Sequence, residues 1–234
     1  MLADLGEIEA AIGYAFNNRD LLRRALTHAS HAYETDPTVV ADNERLEFLG
    51  DAVLGFLTSE YLIERYPAYR EGRLSIIKNY LVSATHLYEV AERLDLGRYL
   101  LLGRGEELSG GRAKKGLLAD AMEALIAAVH LDGGIGAARA FAVRNVFEGG
   151  DAAEGGEAPF TNFKGALQES ARALNLPSPR YSVAREDGPA HSRRFTVEVR
   201  VGDRWLAQGE GCSKKSAGQN AAQAALKQIM EESG

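Results

Sequence analysis

The sequence predicts two domains of different class, an all-α domain over residues 1–148 and an α+β domain of order α-β-β-β-α over residues 159–234. Three observations predict this division. Apolar residues repeat with a helical period in the first part, and they alternate as in a strand in the second. Between the two parts, residues 149–158 contain only small and acidic side chains. Such a segment cannot bury enough surface to order itself, so we expect a flexible linker that spans about 18 Å.

Two stretches of the first domain carry apolar residues at three- and four-residue spacing, which predicts amphipathic helices. These stretches run over residues 46–57 and 117–129. Asp42 or Asn43 can cap the first helix, and Pro67 ends the run that follows it. Gly133-Gly134 is expected to end the second helix.

The period changes after the linker. Residues 162–174 predict a helix, whereas residues 195–201 alternate strictly between apolar and polar, as in a half-buried strand. Gly202-Asp203 predicts a two-residue hairpin turn into a further strand. Ser213 can cap a final helix with a small, alanine-rich face.

The distribution of charge differs between the two parts. The whole chain is acidic, with a net charge of -6, which by itself argues against a nucleic-acid partner. Residues 1–158 hold 16 basic and 25 acidic side chains, whereas residues 159–234 hold 11 basic and 8 acidic ones. This asymmetry predicts separate tasks for the two parts.

Composition also limits the cellular setting. The single cysteine, Cys212, excludes an intrachain disulfide and fits a reducing compartment. The longest apolar run, residues 124–129, is far shorter than the roughly 20 residues that cross a bilayer. The first residues lack a basic segment followed by an apolar one. We therefore expect a cytoplasmic protein with no membrane span.

Five carboxylates stand out in the predicted helices. Glu44, Glu47 and Asp51 share one helical stripe, and Asp120 and Glu123 lie three residues apart in an otherwise small and apolar helix. A solvated acidic face is one interpretation. A hard divalent cation is the other, because it would offset the repulsion and the cost of burial. Mg²⁺ held by carboxylates suits the hydrolysis of phosphodiester bonds.

Several motifs carry a family resemblance. Residues 25–30, 43–54, 71–75, 103–107 and 118–124, in this order, resemble bacterial ribonuclease III. The likeness covers nearly the whole chain, and the acidic segment Asn43–Asp51 is highly specific. The resemblance implies an endonuclease that cuts double-stranded RNA and leaves 5′-phosphate and 3′-hydroxyl ends. It further implies the processing of ribosomal RNA precursors and other structured transcripts.

The resemblance also assigns the acidic residues by position. The metal-binding carboxylates would be Glu47, Asp51, Asp120 and Glu123. The residues of the catalytic step would be Asp51, Glu123, Glu44 and Glu71. Mg²⁺ is the implied cofactor, with Mn²⁺ as a substitute and no small-molecule cofactor. No histidine is needed as a general base, because the ion lowers the pKa of the attacking water. We therefore interpret His28, His31, His86 and His130 as structural or surface residues.

Cleavage of both strands of a duplex requires two catalytic centres, and a two-fold homodimer would supply them. The resemblance implies such a dimer, in which Phe48 inserts into the partner. An ordinary core aromatic is the other interpretation of Phe48.

In the second domain, residues 162–169, 211–217 and 221–222 resemble a double-stranded RNA-binding domain. Independently of that likeness, Lys214 and Lys215 occupy the first turn of a predicted helix, where the helix dipole disfavours cations unless phosphate binds there. Solvated surface lysines are the alternative. The resemblance adds Gln168 and Glu169 on the first helix, and Pro189, Ala190 and His191 in the loop after the first strand, as groups that reach the minor grooves.

Two positions depart from the family pattern. Gly218 stands where a third basic residue is common, which removes one expected phosphate contact. Gly116 stands where a serine is usual.

Two other functions remain open at this point. A non-catalytic, dimeric duplex-RNA-binding protein would use the helical domain only to dimerise, and the six acidic positions argue against it. A DNA nuclease using the same ions is disfavoured by the second domain.

Overall fold

A computed structural model describes residues 5–36, 40–147, 162–187 and 193–232. The chain divides into two compact units, one formed by Met1–Tyr61 and Leu81–Ala152 and the other by Leu62–Tyr80 and Ala153–Gly234. Residues 62–80, which the sequence places in the first domain, thus group with the second unit. The predicted linker 149–158 lies outside the described residues, and the predicted domain boundaries stay a prediction.

Short turns join the helices that precede the linker. In the described residues these helices are α1 Leu5–Ile12, α2 Arg19–Ala25, α3 Ala29–Thr35, α4 Glu44–Arg65, α5 Glu71–Leu81, α6 Ala84–Arg93, α7 Arg104–Leu108 and α8 Lys115–Ala142. Tight 3₁₀ turns at Leu96–Tyr99 and Gly111–Ala113 flank α7, and a π turn at Val143–Phe147 follows α8. The all-helical class predicted for this part is confirmed.

Helix α4 begins and ends close to the predicted positions. The Asp42 carboxylate accepts a hydrogen bond from the backbone N–H of Glu44 at 3.2 Å, so Asp42 satisfies a free donor at the start of the helix. Asn43 is buried instead, and its side-chain amide donates to the carbonyl of Ala25 at 3.4 Å. The helix ends at Arg65, two residues before Pro67.

Helix α8 forms the centre of the first unit. Every residue from 124 to 129 is buried, which accounts for the long apolar run in the sequence. Residues 115–147 are apolar and long enough by composition to cross a bilayer. Burial of residues 118–129, apart from Asp120 and Glu123, accounts for part of this apolar composition.

The sequence predicts that this helix ends at Gly133-Gly134, whereas the structure shows only an interruption there. Gly134 has φ +78° and ψ -178°, a conformation that glycine adopts at no steric cost, and the helix resumes afterwards as far as Ala142. Just before the break, the Asp132 carboxylate accepts hydrogen bonds from the Tyr14 hydroxyl at 2.7 Å and from the backbone N–H of Asn17 at 2.9 Å.

The described residues after the linker follow the predicted order of elements. They form α9 Phe163–Ala173, β1 Arg180–Asp187, β2 Arg194–Val201, β3 Trp205–Gly211 and α10 Lys214–Glu232. The three strands form one antiparallel sheet in the order β1-β2-β3, with α10 packed against β2, β3 and α9. The α+β class predicted for this part is confirmed.

Local signals place the ends of these elements. Asn162 caps α9 by accepting from the backbone N–H of Gly165 at 3.0 Å, and Ser213 caps α10 through Ser216 N–H at the same distance. The hairpin differs from the prediction. Val201 pairs with Trp205, so the loop holds three residues, 202–204, rather than two.

Candidate active site and nucleic-acid interface

Helices α4 and α8 cross in direct contact at Gly50. A β-carbon at this position would overlap the backbone carbonyl group of Glu123, so only glycine allows the two backbones to approach this closely. Glu47 and Asp51 flank Gly50 on α4, and Asp120 lies one turn before Glu123 on α8. The crossing therefore brings the two predicted acidic pairs to one place. Sequence periodicity missed the role of Gly50, because nothing local marks a contact between residues so distant in the chain.

Burial and mutual repulsion characterise this acidic cluster. Burial, reinforced by the carboxylates of Asp51, Asp120 and Glu47, raises the pKa of the Glu123 carboxyl from its ordinary 4.5 to about 8. Burial also raises the pKa of Glu47, with Asp120, Glu44 and Asp51 adding to the shift. These dependences show that the five predicted carboxylates of the two helices act on one another electrostatically.

His28 influences the Asp120 carboxyl of this cluster. Burial raises the pKa of the Asp120 carboxyl, and His28 opposes that shift. The ring Nδ1 of His28 accepts from the backbone N–H of Ser30 at 3.2 Å, so His28 caps α3. The structural role predicted for His28 is present, and the sequence missed its proximity to Asp120.

The donor set suits a hard divalent cation, because it consists of carboxylate oxygens that repel one another and are partly removed from water. Across the described ranges, no three His, Cys, Asp or Glu side chains converge into a ready metal-binding group. The chemistry of the cluster therefore fits a divalent cation that takes oxygen ligands.

The remaining predicted acidic residue belongs to the second compact unit. Glu71 is the first residue of α5, in the second compact unit, where its carboxylate accepts a hydrogen bond from the Ser75 hydroxyl at 2.6 Å. Its assignment to the catalytic step stays a prediction. Gly116 lies exposed in the first turn of α8 with open space around it, so a serine would fit there without steric conflict.

An arginine that the sequence did not single out fixes the entry to α8. The Arg112 guanidinium donates to the carbonyls of Gly97 at 2.8 Å and Leu100 at 2.9 Å, and it pairs with both carboxylate oxygens of Glu107 at 2.7 Å. These bonds connect the 3₁₀ turn before α8 to residues 97–100 and to α7.

Phe48 is 83% exposed on the outer side of α4, next to Glu47. The alternative of a core aromatic is therefore wrong within this chain. Phe56, two turns further along the same helix, is also exposed. Large apolar side chains left in water on one helix face indicate a surface that another molecule covers.

The second unit presents most of the predicted RNA-binding residues to solvent. Gln168 is exposed on α9, and Lys214 and Lys215 are exposed in the first turn of α10. Glu169 is half-buried and lies 3.9 Å from Arg172. His191, with Pro189 and Ala190, lies outside the described residues, so its role stays a prediction.

A helical domain with an acidic cluster, followed by an α-β-β-β-α module with a basic helix start, defines the class of double-strand-specific endoribonucleases. Residues 18–149 match the family described as Ribonuclease-III-like, and residues 163–229 match the double-stranded RNA binding motif. The chain belongs to the ribonuclease III family, whose members depend on a metal ion.

Curated relatives extend over nearly the same length. Ribonuclease 3 of Solibacter usitatus is 54% identical, with 98% of this chain and 89% of the relative covered. Ribonuclease 3 of Geobacter sulfurreducens is 46% identical, with 95% and 89% covered. The nuclease domain of ribonuclease III from Campylobacter jejuni, solved in a study of flexibility in its dimer-forming region, is 37% identical with a TM-score of 0.57. That match covers 62% of this chain and 97% of the Campylobacter chain.

Proposed function

We propose that this protein cleaves double-stranded RNA by Mg²⁺-assisted hydrolysis, giving 5′-phosphate and 3′-hydroxyl ends, and that it processes ribosomal RNA precursors and other structured transcripts in the cytoplasm. The observation that carries the proposal is the crossing of α4 and α8 at Gly50, which gathers acidic residues from both helices in a chain that belongs to the ribonuclease III family. Mn²⁺ is expected to substitute for Mg²⁺.

Glu47, Asp51, Asp120 and Glu123 would hold the ion. When bound, it supplies a Lewis acid that lowers the pKa of the attacking water and offsets charge on the phosphodiester. The chain contributes the carboxylates and their fixed placement on two packed helices. Asp51 is exposed and Glu123 is half-buried, so the cluster extends from the helix crossing to the surface where a duplex can approach. Glu44, exposed one turn before Glu47, would lie next to the bound strand.

The test is the incubation of a defined duplex RNA with the full chain in Mg²⁺, in Mn²⁺ and in EDTA, with the product ends mapped. We expect cleavage only with a divalent ion, while single-stranded RNA and duplex DNA stay intact. Tight binding of the duplex without cleavage at any Mg²⁺ concentration would instead favour the non-catalytic RNA-binding protein.

We further propose that the working form is a homodimer whose interface includes the exposed side of α4 around Phe48. Two copies would place one acidic cluster against each strand of the duplex. The 83% exposure of Phe48 supports this role, because an aromatic side chain gains the most when a partner removes it from water.

Replacing Phe48 with Ala is expected to weaken the dimer at least about 30-fold, since a buried aromatic anchor contributes about 2 kcal/mol or more at an interface. Sedimentation velocity over a dilution series measures the change. Leu108→Ala is the matched control, because it removes a similarly exposed apolar side chain from α7 rather than from α4. An unchanged dimer at low concentration in the Phe48 variant would refute the proposed role.

A further inference from the structure

Lysine 164 occupies the space that a side chain at position 218 would need. Lys214 and Gly218 lie one turn apart on the same stripe of α10, and a β-carbon at Gly218 would collide with Nζ and Cε of Lys164. The ammonium group of Lys164, which starts on α9, therefore lies on the stripe that begins with Lys214. The basic residue absent from α10 in sequence is replaced in space by one from the neighbouring helix.

Several contacts hold Lys164 in this position. Gln219 on α10 accepts a hydrogen bond from the backbone N–H of Lys164 at 3.0 Å, and its amide donates to Asn162 at 3.1 Å. The Lys164 ammonium lies 4.5 Å from the centre of the Tyr181 ring. The start of α9 is thus fixed to α10, and the lysine stem is supported by an aromatic face.

The charge of Lys164 is not neutralised by any carboxylate in the part of the chain that the structure describes. No carboxylate pairs with its ammonium in residues 162–187 and 193–232 or in the other described ranges. Lys214 and Lys215, the two other cations of this surface, are exposed. Lys164 is half-buried beside Gly218, one turn after Lys214, so amino groups from two helices meet near the start of α10. We call Lys164, Lys214 and Lys215 the basic surface.

We propose that Lys164 binds a phosphate of the RNA backbone and supplies the third cationic contact that Gly218 cannot make. This inference rests on the proposed binding of duplex RNA. Glycine at position 218 then leaves room for the Lys164 side chain of α9. Its presence does not mean that this surface lacks a third cationic contact. The recognised chemistry is the phosphodiester backbone, so the contact contributes affinity without base preference.

A packing role is the competing explanation, in which Lys164 only covers the Tyr181 ring. The two explanations differ in their dependence on salt. A phosphate contact releases bound counterions, so its loss lowers the slope of log Kd against log salt concentration by about one. A packing contact leaves that slope unchanged.

The experiment measures the binding of a duplex RNA to the full chain at several salt concentrations, in EDTA to prevent cleavage. Lys164→Met keeps the apolar stem over Tyr181 and removes the charge, and we expect its slope to fall by about one. Lys227→Met is the matched control, because Lys227 is exposed further along α10. In the double variant Lys164→Met with Gly218→Lys, the charge returns from α10 and the slope is expected to recover.

An unchanged slope in Lys164→Met, with a thermal transition equal to that of wild type, would overturn the inference. If Lys164→Met does not fold, Lys164→Gln provides the same comparison. Failure of the wild-type chain itself to bind duplex RNA would overturn the proposed function, which is a different outcome from an unchanged slope in the variant.

Discussion

Replacing Glu123 with Gln is expected to lower the rate of duplex-RNA cleavage by roughly a thousandfold at saturating Mg²⁺, equivalent to about 4 kcal/mol of lost transition-state stabilisation. The substitution keeps the size of the side chain and removes the charge that would hold the ion. Binding of the duplex in EDTA should not change. Single-turnover cleavage across a Mg²⁺ titration measures the effect, and wild-type rates throughout would exclude Glu123 as a ligand.

The same variant is expected to be more stable than wild type when metal is absent. The pKa of Glu123 is about 8 in the folded protein and near 4.5 in the unfolded chain. As the pH rises, Glu123 therefore loses its proton in the unfolded chain before it does so in the folded protein. The contribution of Glu123 to the stability of the wild type is fully present below pH 4.5 and is lost as the pH rises through 8. Because Glu123 is only half-buried, solvent screening reduces the effect to about 2 kcal/mol, or about 5 °C in Tm.

Thermal melts in EDTA from pH 5 to pH 9 measure this difference, which should be small at pH 5 and largest near pH 9. Mg²⁺ should raise the Tm of wild type more than that of the variant. Asp20→Asn is the control, because Asp20 is an exposed carboxylate on α2 that pairs only with Arg23 among the described residues. A wild-type Tm in EDTA that does not fall between pH 5 and pH 9 would contradict the assignment.

Replacing Gly50 with Ala is expected to lower both activity and stability. The added methyl group would overlap the backbone carbonyl of Glu123, and a backbone atom cannot rotate away as a side chain can. Helices α4 and α8 must then separate, at a cost of about 1–3 kcal/mol. Displacing the two acidic pairs by about 1 Å should reduce cleavage on the order of a hundredfold.

Gly136→Ala is the matched control for this variant. Gly136 lies exposed on α8, and nothing would contact a β-carbon there, so alanine should stabilise the helix slightly. Cleavage rates, Tm and sedimentation of both variants distinguish the effects. Wild-type activity and Tm in Gly50→Ala would show that the close approach of the helices is not required.

Local patterns in the sequence predicted the fold class well. The change from helical period to strict alternation distinguished a helical part from an α+β part, and the predicted cap at Ser213 placed the start of α10. The hairpin turn was one residue short, because Val201 pairs with Trp205 and this register depends on the neighbouring strand. The Gly133-Gly134 pair correctly marked where the helix is interrupted. It gave no sign that the helix resumes after Gly134.

Candidate acidic residues could also be identified from the sequence, because their spacing and the family motifs are present there, and their assignment to the metal stays a prediction. The residues that position these carboxylates could not be predicted. Gly50, His28 and Arg112 act through residues far along the chain, and local propensity carries no signal of such contacts. The same limit applies to Lys164, whose relation to Gly218 exists only once α9 and α10 are packed.

The two ends of the straight part of α8 are held by different side chains. Arg112 fixes its start to the carbonyls of Gly97 and Leu100, and Asp132 fixes its end to Tyr14 and Asn17. Asp120 and Glu123 lie between these supports, so the helix that carries them can neither slide nor tilt without breaking several hydrogen bonds. The conformational entropy of ordering this half of the site is thus lost during folding rather than when RNA binds, and the substrate must adapt its shape to a rigid template.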